Sequence, residues 1–191
     1  MKESKSQKSL QTLVTAAMML ALGLALPFFT GQIPQVGNML CPMHLPVLLC
    51  GLLCGWKYGL AVGFILPPLR YVLFSAPPIF PAGAAMAFEL AAYGFLSGFL
   101  YARSRRQCVA ALYRCLIPAM LGGRAVWALV RVILSGVSGQ AFTWQMFLSG
   151  AFLTAIPGIV LQLVFIPGVM VALDRTGLVR FRRNGETAQP A

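Results

Sequence analysis

The chain has 191 residues, of which 59% are hydrophobic and only 10% charged, against about 25% charged in soluble domains. A mean hydropathy of +0.79 and long apolar runs exclude an ordinary soluble domain and point to an integral membrane protein. The net charge of +11 does not signal a nucleic-acid partner, because the cations flank apolar segments instead of sharing one polar face.

Residues 1–9 form a basic leading segment with Lys2, Lys5 and Lys8. The first apolar segment runs from about Leu10 to Phe29. Ala17, Ala21 and Ala25 recur every fourth residue, a small-residue stripe on one helical face that lets a second helix approach closely. A basic start, an apolar run and small residues also fit a secretory leader. The run is about 20 residues long, enough to span, and removing it would reverse the first crossing.

The second segment, about Met43 to Trp56, is short for a span and reads as tilted or partly re-entrant. His44 opens it, near the outer surface. Lys57 separates it from the third segment, about Tyr58 to Phe74, which carries Arg70 near its end. Gly51, Gly55, Gly59 and Gly63 run through both and suit close internal packing. Cys41, Cys50, Cys54, Cys108 and Cys115 are odd in number, without a paired CxxC spacing. They read as small apolar-compatible residues. Cys41 with His44 cannot complete a zinc site, so no metal is expected.

The fourth segment, about Pro81 to Tyr101, holds the single acid of the apolar segments, Glu89, and the GxxxG pair Gly94 and Gly98. The fifth, about Val109 to Leu134, carries Arg124, Trp127 and Arg131 at i, i+3 and i+7, on one helical face. Lipid is a poor home for two guanidinium groups, so that face looks inward. The sixth, about Gln145 to Leu173, follows Trp144 and contains Gln162. Residues 10–175 thus form one membrane domain, and 176–191 a basic, disordered tail.

The cations set the topology. With six spans and a cytoplasmic N-terminus, the inside segments are 1–9, the break at Lys57, 102–108 and 174–191. The outside loops 30–42, 75–80 and 135–144 contain no Lys or Arg. The positive-inside rule therefore favours an all-α, six-helix transmembrane bundle with both termini cytoplasmic. In that frame Glu89 lies about 12 Å below the outer end of its helix and Arg124 about 10 Å below Arg131, at 1.5 Å per residue. We expect them to pair, each offsetting part of the other's desolvation.

That pairing leaves no further acid in the apolar segments for Arg70 and Arg131. A cavity open to the outside and bordered by these two arginines favours an anion. Asn38, His44, Trp127, Trp144, Gln145 and, deeper, Gln162 lie toward the same end and suit a small amphipathic molecule. The substrate-binding candidates are therefore these six with Arg70, Glu89, Arg124 and Arg131. No P-loop, HExxH or GxSxG motif occurs, so an ATP-driven process would need its nucleotide site on another chain.

The runs "CPMHLPVLLCGLLCGWKYGLAVGFILPPLRYVLF", "PPIFPAGAAMAFELAAYGFLSGFLY" and "FTWQMFLSGAFLTAIPGIVLQ", with the alanine stripe before them, resemble the substrate-binding S component of energy-coupling factor (ECF) vitamin transporters. The similarity covers roughly residues 10–175. It implies a six-helix bundle in a bacterial plasma membrane that takes up a vitamin or related micronutrient from outside. It implies a membrane partner, the T component, and two cytoplasmic ABC-type ATPases that hydrolyse ATP. No cofactor is implied in this chain. By the same resemblance Ala17 and Ala21, extended by Ala25, meet the T component. The arginines lean the substrate toward a carboxylate-bearing compound. Two other readings stand beside this one, an autonomous carrier or channel and a membrane enzyme using Glu89 and His44 as acid and base. The enzyme reading is disfavoured by the depth separating those two residues.

Overall fold

The computed structural model describes residues 5–29, 42–75, 78–104, 108–138 and 156–176. These fold into helices α1 (Lys5–Phe29), α2 (His44–Cys54), α3 (Trp56–Phe74), α4 (Ala84–Arg103), α5 (Val109–Ser138) and α6 (Ile156–Arg175), with a π-helical turn at Ile79–Gly83 leading into α4. No strand occurs among the described residues. Each apolar segment expected from the sequence coincides with one helix. Residues 145–155 of the expected sixth segment, and all of the tail beyond Thr176, lie outside the described residues.

α1, α4 with the turn before it, α5 and α6 are long and apolar enough to cross a membrane. The other two fall short for separate reasons. α2 has 11 residues, about 16 Å of helix, or half a hydrocarbon core. α3 has 19 residues but is diluted by Lys57, Pro67, Pro68 and Arg70.

α2 is hydrophobic on every side and buried on every side, as such a helix must be. Leu45, Leu48, Leu49 and Leu52 join Leu112, Leu116, Ile166 and Met170 of α5 and α6 in one apolar cluster. Val47, Cys50 and Cys54 join Ala16, Val62, Leu66 and Leu90 of α1, α3 and α4 in another. The short helix is thus the central post around which the longer ones stand.

Glycines set how closely three of them approach. A Cβ added at Gly59 would lie 2.6 Å from the Gly94 carbonyl oxygen, and one at Gly98 would lie 2.6 Å from the Trp56 nitrogen. α3 and α4 therefore run antiparallel with backbones in contact. Likewise a Cβ at Gly51 would lie 2.5 Å from the Gly94 oxygen, which sets α2 against the same face of α4. The stripe Gly51, Gly59 and Gly63 packs inside the chain, as small residues do between membrane helices. Gly55 has another use: its φ of 88° ends α2 and turns the chain into α3.

α1 runs parallel to α3, with Phe28 edge-on to Phe74 at 4.7 Å between ring centroids. α5 runs antiparallel to α4, so that a Cβ at Gly123 would meet the Tyr93 ring at 2.7 Å. The chain rises and falls in alternation. Lys57 at the start of α3, Arg103 at the end of α4 and Arg175 at the end of α6 gather toward one end.

Candidate functional site

Four polar side chains converge toward the opposite end, inside an apolar bundle. Glu89 of α4 is 2% exposed and Arg124 of α5 is 8% exposed. Arg124 Nη1 lies 3.0 Å from Glu89 Oε1. The expected pair therefore forms, a charge-assisted bond in a setting where either charge alone would carry a large desolvation penalty. Their meeting follows from the antiparallel run of α4 and α5, which brings equal depths together.

Two further groups approach the same oxygen. The Tyr93 hydroxyl donates to Glu89 Oε1 at 3.3 Å. Tyr93 was not anticipated, although it stands four residues after Glu89 and so shares its helical face. His44 Nε2 lies 3.6 Å from Glu89 Oε1, too long for a hydrogen bond, and its ring packs edge-on to Tyr93 at 5.1 Å between centroids. This corrects the expected separation of His44 and Glu89. α2 has only 11 residues, and its first residue starts level with the carboxylate of α4. Depth therefore does not separate His44 and Glu89 as an acid–base pair.

Arg70 donates from Nη1 to the Met43 thioether at 3.3 Å, which places it beside the start of α2. Arg131 sits over the Trp127 ring at 5.8 Å, a cation–π contact from the face that the i, i+3, i+7 spacing defines. Gln162 of α6 is buried at 2% exposure. Asn38, Trp144 and Gln145 lie outside the described residues. A groove of about 460 Å³ between α5 and α6, bordered by Tyr113, Pro167, Gly168 and Arg175, opens at the far end, away from Glu89.

The alanine stripe is turned outward. Ala17, Ala21 and Ala25 are exposed, while Ala16, Gly23 and Pro27 of the same helix face the bundle. Of the four long apolar helices, α1 buries the smallest share of itself. Among the described residues no group of three or more His, Cys, Asp or Glu could hold a metal ion.

Among known proteins, a family model described as "ECF transporter, substrate-specific component" matches residues 11–170. No curated protein and no solved structure matches.

Proposed function

The chain belongs to the family of ECF transporter substrate-specific components, and from that premise we propose that it captures a vitamin or related micronutrient outside a bacterial cell and passes it inward. In this reading the bundle crosses the plasma membrane six times with both termini in the cytoplasm. The basic residues at the ends of α3, α4 and α6 then face the anionic inner surface. A membrane T component and two cytoplasmic ATPases supply the energy, since the sequence carries no nucleotide-binding motif of its own. The solute is taken in the outer half, where Glu89, Arg124, Tyr93 and His44 meet.

The observation that carries the reading is the outward alanine stripe. Helices in lipid associate through close van der Waals packing at small residues, and α1 spends Ala17, Ala21 and Ala25 on a face that its own bundle leaves open. A partner helix fits there.

Ala21→Trp tests it. The bulky ring should abolish co-purification with the T component while leaving the isolated chain folded and loaded with its solute. Undiminished co-purification, with Ala17→Trp equally silent, would place the partner elsewhere.

A further inference from the structure

We propose that the first turn of α2, with Arg70 beside it and His44 within it, is the subsite that holds a carboxylate of the captured solute. This rests on the capture reading above and names the chemical class of what is captured.

The start of α2 gathers hydrogen-bond donors that the helix itself cannot use. α2 begins inside the bundle, and no side chain caps it. Its first turn carries the backbone N–H groups of Met43, His44 and Leu45, which have no partner within the helix. Pro42 and Pro46 on either side contribute none. Met43 and His44 are buried at 3% and 4% exposure, so bulk water does not satisfy them cheaply. A helix N-terminus in this state presents donors and positive potential together.

Arg70 adds a full charge at the same place. Its contact through Nη1 is the Met43 sulfur, a weak acceptor, and its Nε is buried without a hydrogen-bond partner. At Nε this part-buried guanidinium has lost hydration without a bond in exchange. His44 gives an independent observation. It is the first residue of α2, almost fully buried, and neither ring nitrogen has a hydrogen-bond partner.

The charges nearby agree. Glu89 lies against Arg124 at 3.0 Å, so those two cancel. Arg70 brings a further positive charge to the mouth of α2 through its seat on Met43. N–H donors that the helix itself cannot use, a guanidinium beside them and an uncapped helix start call for a ligand that only accepts hydrogen bonds. A carboxylate does so, and its two oxygens suit the fork of a guanidinium.

The test uses the full chain purified from cells grown in rich medium. The protein is heat-denatured, and the released compounds are identified by mass spectrometry, with water-soluble and lipid fractions separated. The wild type should release a water-soluble compound bearing a carboxylate. Arg70→Gln should release it at about one-tenth the amount or less, and Arg70→Lys at an intermediate level. A neutral or cationic compound from the wild type overturns the carboxylate subsite and leaves the capture reading standing, whatever the variants do. So does a carboxylate held equally by wild type and Arg70→Gln, or a phospholipid released in the solute's place. A wild-type chain that releases no compound at all overturns both.

Discussion

Arg124→Met is expected to unfold the membrane domain in most of the expressed chain. The substitution keeps an unbranched stem but leaves Glu89, 2% exposed, as a buried carboxylate without its guanidinium 3.0 Å away. Breaking a buried ion pair by removing one partner costs about 3–5 kcal/mol, a large part of a typical domain's stability. Size-exclusion profiles and thermal melting in detergent would read the loss. The double variant Glu89→Leu with Arg124→Met should recover much of the folded yield, because an apolar pair of similar volume carries no desolvation penalty. If the double variant folds yet holds no solute, the pair also contacts the ligand. An Arg124→Met protein as stable as the wild type would contradict the structural account of the pair.

Gly94→Val should be as damaging for a different reason. A Cβ at Gly94 would collide with the carbonyl of Gly59, and Gly59 belongs to α3 while Gly94 belongs to α4. Overpacking costs about 1–3 kcal/mol where side chains can shift. Here the obstacle is backbone, so the two helices must separate, and α2, packed against the same face at Gly51, is displaced with them. Gly168→Ala, where a Cβ would meet nothing within 4 Å, is the matched control and should melt like the wild type. Thermal melting in detergent separates the two. A Gly94→Val chain that melts within a few degrees of the control would mean that α3 and α4 do not touch through their backbones.

Much of this architecture could be read in the residues before any coordinates. The apolar runs give the helices because a long unbroken run has few other ways to satisfy its backbone in lipid. Glu89 and Arg124 could be matched because rise per residue converts position into depth once two antiparallel neighbours are assumed. The repeats at Gly51, Gly59 and Gly63 and at Ala17, Ala21 and Ala25 were both visible as close-packing faces. The glycine series suited internal packing, while the alanine stripe could serve a partner chain as well as its own bundle. The bundle covers the glycines and leaves the alanines open.

The start of α2 was not legible in the same way. Depth along a helix can be counted, but the path of the long segment before Met43 has no periodicity to count by, so His44 was expected at the surface. Its contact with Glu89 comes from tertiary packing, as does the seat of Arg70 on Met43, 27 residues apart in the chain. Tyr93 was overlooked although its i+4 spacing from Glu89 was available. An aromatic in an apolar run looks like core until an acid is noticed one turn before it.

The central claim is that this chain binds a solute without moving it alone. Vesicles holding the purified chain, with and without the T component and the two ATPases, test it directly with a labelled form of the compound that co-purifies. The chain alone should bind the label without accumulating it inside, and accumulation should appear only with the full set of partners and ATP. Accumulation by the chain alone, without ATP, would contradict the account and identify an autonomous carrier.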